Sequence, residues 1–195
     1  MFLIGTGAII TIVIVIVVVV LFLAFLVKNY NILVDLRNKV RNSWSQIDVQ
    51  LKRRFDMIPN LVETVKGYAS HESGIFKEFA EARKMYSKSA QSGSVEDAAK
   101  ADQGLTGALS RLMVVSEQYP ELKANDNFKE LMAQLKDTED KISYSRQFYN
   151  DTVMKLNNKV EMFPSNIVAG IFKFKREAFF EVDDAAQRQA VQVKF

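Results

Sequence analysis

The chain has 195 residues, with 26 Lys and Arg against 23 Asp and Glu, and a formal net charge of +3 at pH 7. The absence of cysteine excludes disulfides and thiolate chemistry, and the excess positive charge is too dilute to indicate nucleic-acid binding. Three prolines and eight glycines are few turn-forming residues for a chain of this length, which favours an all-α fold over an all-β or α/β one.

An uncharged apolar run opens the chain, from Phe2 to Val27. As a helix it would reach about 39 Å at a rise of 1.5 Å per residue, whereas a bilayer core of about 30 Å needs roughly 20 apolar residues. A cleaved signal peptide would have a basic residue before the run and a small-residue cleavage site after it, and this run has neither. We therefore predict a single-pass transmembrane anchor over residues 1–28.

Charges on the C-terminal side of the anchor predict its orientation. Lys28, Arg37, Lys39 and Arg41 follow the apolar run against a single nearby acid, Asp35. The positive-inside rule then predicts that the N-terminus lies outside and that the helical domain is cytoplasmic.

A helical bundle domain is predicted over residues 29–163. Its first segment, to about residue 69, has apolar positions at a mean spacing of about 3.6 residues, the period of an α-helix. No breaker separates Val27 from Asn29, so the anchor is expected to continue into this helix, with a kink near residues 55–58 caused by Pro59. The apolar series is Leu33, Leu36, Val40, Trp44, Ile47, Leu51, Phe55, Ile58, Val62 and Val65.

Three further helices are predicted by the same periodicity and by their caps and breakers. They begin after residues 70–73, after Ser94 and at a cap formed by Asn127; the third helix stops before Pro120, and Pro164 ends the fourth. Two long helices and two shorter ones, each with one apolar stripe, predict an antiparallel four-helix bundle.

The last segment, residues 164–195, differs from the rest because it is aromatic and basic. One interpretation is that it packs back on the bundle, and the other is that it docks on a partner or a membrane surface. The chain then ends with alternating apolar and polar residues at 191–195. The crowded residues are Phe172, Phe174, Phe179 and Phe180, around Lys173, Lys175 and Arg176.

A row of uncharged amides lies opposite the apolar stripe of the first helix. At 100° per residue Asn31, Asn38, Asn42 and Asn60 fall within about 40° of one another, and Gln46 flanks them. One interpretation is an ordinary solvated face. The other is a second seam for self-association or a partner, because amides hydrogen-bond across a helix contact at a lower desolvation cost than charges.

No constellation in the sequence predicts an enzyme. The one histidine, His71, lies beside Glu72 in an expected loop, and a zinc site needs three or four ligands. Neither a phosphate-binding glycine loop nor a nucleophile elbow occurs. We expect no catalytic residue, metal, cofactor or small-molecule substrate.

Two segments resemble the LemA family of bacterial membrane proteins: YNILVDLRN at residues 30–38 and NSWSQIDVQLKRRFDMIPNLVETVKGY at residues 42–68. Lys173 departs from the pattern, since the family often carries glycine there. The resemblance implies an N-terminal anchor, a four-helix bundle and a place in the bacterial inner (cytoplasmic) membrane, and it implies no established catalytic activity. Shorter matches to the family follow in the same order along the chain, at residues 81–83, Tyr149, Asn150, residues 157–160, residues 163–165, Ala169 and residues 179–181.

The expected function is that of a membrane-anchored, non-enzymatic scaffold that self-associates at the membrane, so its expected partners are the lipid bilayer and further copies of itself. The alternative is an adaptor or regulator of another membrane machine, such as a membrane protease or an envelope complex. The predicted interaction residues are the amides and the aromatic residues of the last segment.

Overall fold

A computed structural model describes residues 6–181 of the chain, and these residues form helices and connecting turns without a strand. The all-helical class predicted from the sequence is therefore confirmed. The helices are α1 (Thr6–Asp56), α2 (Ile58–Lys66), α3 (Ser73–Ser92), α4 (Val95–Ser116), α5 (Pro120–Ala124), α6 (Asp126–Glu161) and α7 (Ser165–Ile171).

Helix α1 carries the apolar run from Thr6 onward and continues past Val27 without a break, as the sequence predicts. Within the described part of the chain, it is the helix long and apolar enough to cross a membrane, with a window of mean hydropathy 3.7 of which nothing is buried. The Thr11 hydroxyl donates to the Gly7 carbonyl at 3.0 Å, so this polar group of the run has a partner inside the helix.

The first long helix ends one turn before the proline. Helix α1 stops at Asp56, Met57 forms a turn, and α2 has Pro59 at one of its first two positions. Proline has no N–H to donate to the carbonyl four residues earlier, so the ladder is interrupted there. Asn60, grouped in the sequence with amides on α1, thus lies on a different helix.

Helices α3 and α4 form an antiparallel hairpin. Gly93 ends α3 with a φ of +67°, a left-handed conformation that glycine adopts freely. The Ser94 hydroxyl accepts from the Asp97 N–H at 3.1 Å, which confirms the predicted cap of α4. Arg111 of α4 pairs with Glu78 of α3.

The cap of α6 differs from the prediction. Asn127 lies inside α6, and the amide oxygen of Asn125 accepts instead from the Phe128 N–H at 2.9 Å. Asn125 and Asn127 are both suitable helix caps, and the sequence alone does not distinguish them. The cap is Asn125 because the short helix α5, which was not predicted, ends just before it at Ala124. Helix α6 ends at Glu161, before Pro164, as expected.

The chain divides into two compact units. The first comprises residues 1–42 and 151–177, and its described buried residues come from α1, α6 and α7. The second comprises residues 43–150 and 178–195, with a core drawn from the rest of α1, from α2 to α5 and from the first part of α6. The antiparallel four-helix bundle and the boundaries at residues 28 and 163 stay predictions. The alternating residues 191–195 lie outside the described part of the chain.

A turn in the first unit shows how this chain accommodates its departure from the family pattern. Lys173, just after α7, has a φ of +56°, the left-handed region that favours glycine. The backbone turn thus forms with lysine in a position where a side chain is strained.

Candidate interaction surfaces

The amides predicted from the sequence all lie at the surface. Asn31, Asn38, Asn42 and Gln46 are exposed along α1, and Asn60 is exposed on α2. Their use as a seam stays a prediction.

A groove in the second unit adds apolar surface beside Gln46. It encloses about 620 Å³ between α1 and α6. Val49 and Tyr144 in its walls are 62% and 77% exposed. The Gln50 Oε1 atom is buried and accepts no hydrogen bond from any group in the described part of the chain. We call this surface the α1–α6 groove, and its lining residues are Ser45, Gln46, Val49, Gln50, Asp140, Lys141, Tyr144 and Ser145.

In the first unit, the aromatic residues after α7 contact α1. The Phe172 and Phe174 rings lie 4.6 and 5.9 Å from the Tyr30 ring, centroid to centroid. The Arg37 guanidinium lies 5.1 Å from the Phe174 centroid, a cation–π contact. Phe172 nevertheless remains 49% exposed.

In the second unit, Phe180 is a core residue with 1% exposure. Its ring lies 5.9 Å from that of Trp44, and the Arg146 guanidinium lies 5.2 Å from its centroid. Phe179 is half-buried. Phe180 was grouped with the docking candidates, and its side chain is enclosed here.

Side chains on α6 form hydrogen bonds with the main chain of residues 177–180. In the second unit, Asn150 accepts from the Phe180 N–H at 2.9 Å, and Tyr149 donates to the Ala178 carbonyl at 2.9 Å. In the first unit, Asn157 accepts from the Glu177 N–H at 2.9 Å and donates to its carbonyl at 3.0 Å. These contacts give a physical role to the Tyr149, Asn150 and Asn157 pieces of the family pattern.

A buried charge cluster joins α1, α4 and α6 in the second unit. Arg54 forms ion pairs with Asp102 and Glu139 and donates to the Thr106 hydroxyl at 3.0 Å. Arg146 pairs with the second oxygen of Asp102 at 3.1 Å. Burial raises the pKa of Asp102 above its ordinary value, against the opposing effect of the two arginines.

This cluster was not predicted from the sequence, although the helical periodicity of α1 and α4 contains a signal for it. At 100° per residue, Arg54 falls about 20° from Ile47 of the apolar stripe on α1, and Asp102 falls about 20° from Leu109 on α4. Two opposite charges inside apolar stripes indicate a buried pair, because either one alone would be costly to bury.

Both acidic members of the cluster are paired with arginine. A cavity of about 410 Å³ lies beside it, lined in part by Asp102, Glu139, Arg146 and Phe180. His71 is exposed in a turn, and the residues from 6 to 181 include no group of three or more acidic or histidine side chains arranged to hold a metal.

Comparisons with known proteins agree with the family resemblance. Residues 43–195 match the LemA family. Magnetosome protein MamQ 2 of Paramagnetospirillum magneticum is 28% identical over 183 residues, covering 82% of this chain and 67% of that protein. MamQ of Magnetospirillum gryphiswaldense is 28% identical over 182 residues with the same coverage. Protein LemA of Metamycoplasma hominis is 25% identical over 166 residues, covering 84% of this chain and 74% of that protein.

Proposed function

Because the chain belongs to the LemA family, we propose that it is a membrane-anchored, non-enzymatic scaffold that self-associates at the inner (cytoplasmic) membrane, with its helical domain in the cytoplasm. The apolar part of α1 supports the anchor. The charges that follow this run support the orientation. None of the relatives' names mentions a reaction or a substrate.

The α1–α6 groove is the observation that carries self-association. Large apolar side chains that are more than half exposed mark contact surfaces when they cluster, and Val49 and Tyr144 line one groove. An exposed tyrosine is a frequent anchor of protein interfaces. The buried Gln50 oxygen would gain a hydrogen-bond donor from a second copy seated there.

Cysteine cross-linking in native membranes tests this proposal cleanly, because the chain has no cysteine of its own. Val49→Cys is expected to form a disulfide-linked homodimer on mild oxidation of the full-length protein. Val114→Cys is the matched control, since Val114 is 68% exposed but lies on α4, away from the groove. Equal homodimer yields from both variants would refute self-association through the groove.

The alternative is an adaptor for another membrane machine, and the same variants distinguish it. If a photoreactive cross-linker on Val49→Cys captures a different protein in stoichiometric amount and no second copy, the groove serves an adaptor. Self-adducts alone support the scaffold.

A further inference from the structure

The first unit exposes apolar side chains beyond the transmembrane run. Met162, Phe163, Ile167, Ile171 and Phe172 are 61%, 78%, 48%, 60% and 49% exposed. Ile167 and Ile171 are four residues apart on α7 and therefore share a face, while Val168 and Ala169 are buried. We call residues 162–172 the foot.

One cavity is lined both by residues of the foot and by residues at the end of the apolar run. It encloses about 650 Å³ and is lined on α1 by Phe25 and Lys28, which flank Val27, the last residue of the run. Met162 and Phe163 line the same cavity. With α1 as the proposed membrane anchor, the foot lies beside the boundary between the hydrocarbon and the headgroups.

The charges of this cavity complement an anionic headgroup. Lys28, Lys155 and Lys159 line it, and its lining includes no carboxylate. The first unit as a whole has nine Lys and Arg against four Asp and Glu. Juxtamembrane lysines are attracted to anionic lipid surfaces, and apolar side chains of interfacial helices enter the boundary between headgroups and acyl chains.

We propose that the foot inserts into the leaflet at the C-terminal end of the α1 span. Lys28, Lys155 and Lys159 then bind the phosphate of an anionic phospholipid, and the part of its acyl chain nearest the headgroup occupies the cavity. The Tyr30 ring lies 4.6 Å from that of Phe172, so a tyrosine also lies at the proposed membrane–water interface, where this residue type is enriched. The inference uses the membrane anchor of the proposed function but not its self-association.

Lipid retention measured by native mass spectrometry of the detergent-purified full chain tests the headgroup site. We expect retention of phosphatidylglycerol over phosphatidylcholine, and a loss of roughly tenfold or more in the variant Lys28→Gln, Lys155→Gln, Lys159→Gln. The matched control removes the same charge from α3 through Lys77→Gln, Lys84→Gln and Lys88→Gln. Inorganic phosphate at millimolar concentration is expected not to displace the lipid. Equal losses in both variants, or displacement by phosphate, would overturn the lipid assignment.

Insertion of the foot is tested separately with an environment-sensitive fluorophore on Ile167→Cys in the reconstituted full chain. Lipids spin-labelled near the headgroup are expected to quench it, whereas the same label on Met113→Cys of α4 should stay open to aqueous iodide. Shielding from iodide without quenching by the lipids would indicate a protein contact instead and would refute insertion. Failure of the chain to enter bilayers at all would contradict the anchor rather than the foot.

Discussion

Arg54 and Asp102 form an ion pair although their side chains are only 2% and 1% exposed. Breaking a buried ion pair by removing one partner typically costs about 3–5 kcal/mol, and because Arg146 remains paired with Asp102 at 3.1 Å, a loss of about 3 kcal/mol applies here. We therefore expect Arg54→Ala to destabilise the full-length protein by this amount, measured by thermal or denaturant unfolding in detergent and followed by circular dichroism.

The control for this effect is the double variant Arg54→Leu, Asp102→Leu, which removes both charges and keeps apolar volume. It should lose less stability than the sum of the losses in Arg54→Leu and in Asp102→Leu, because each single variant leaves the other buried charge without its partner and the double variant does not. Strict additivity would mean that the two residues do not act as a pair.

The pH dependence of stability provides a second prediction. Burial raises the pKa of Asp102 above its ordinary value of 3.8, so the folded chain holds this proton more tightly than the unfolded chain. The stability of the native protein relative to Asp102→Asn should therefore fall as the pH rises from 3.8 through the folded pKa, and then level off. Unfolding midpoints of both proteins across this range measure the difference.

A constant offset between the native protein and Asp102→Asn would show that Asp102 does not titrate differently in the two states.

Phe180 and Phe172 should respond differently to truncation, although both are aromatic residues of the last segment. Phe180 is 1% exposed, so Phe180→Ala is expected to cost about 3–5 kcal/mol in unfolding free energy. Phe172 is 49% exposed, so Phe172→Ala should cost much less in detergent. Chemical denaturation of the two variants compares them directly, and equal costs would contradict the enclosed position of Phe180.

Lys173 offers a test of backbone strain. Its φ of +56° is costly for a residue with a side chain, by roughly 1–2 kcal/mol, and glycine regains part of this at the expense of a freer unfolded chain. Lys173→Gly should therefore raise stability by about 0.5–1 kcal/mol in equilibrium unfolding, while Lys173→Ala, which keeps the strain and removes the charge, should not. A gain of the same size in both variants would assign the effect to charge.

The amide row requires an experiment of its own, since exposure alone does not make a seam. If Asn38 and Asn42 lie in a contact between copies, changing both to Lys should shift the full-length protein to a smaller species in size-exclusion chromatography with unchanged helicity. The control is Lys84→Asn, an exposed change on α3. An unaltered elution profile would assign the amides to an ordinary solvated face.

The longer helices were predicted well because each carries its own local signal. The long period of apolar residues predicts α1 and α6, Pro59 predicts the interruption before α2, and Ser94 predicts the start of α4. The short helices α5 and α7 were missed because five and seven residues are too few to display a period.

The site residues were harder to predict because they depend on contacts between distant parts of the chain. Arg54 was noted only as part of a family motif, because its partner Asp102 lies 48 residues away on α4 and no local pattern links the two. The groove requires Val49 and Tyr144 to approach from two helices, which no local pattern encodes. The amides were visible because they repeat along one helix, but the same pattern does not reveal whether anything binds them.

The clamp between Asn157 and Glu177 has a consequence for how this protein ages. The carboxamide matches the backbone N–H and the backbone carbonyl of one residue at the same time, so the identity of residue 177 is irrelevant to the pairing. Spontaneous deamidation would convert Asn157 to aspartate, which has two acceptors and no donor, and would set a negative oxygen against that carbonyl. A slow chemical change at this single amide would thus keep the bond from the Glu177 N–H, lose the bond to its carbonyl and weaken the attachment of this peptide to α6.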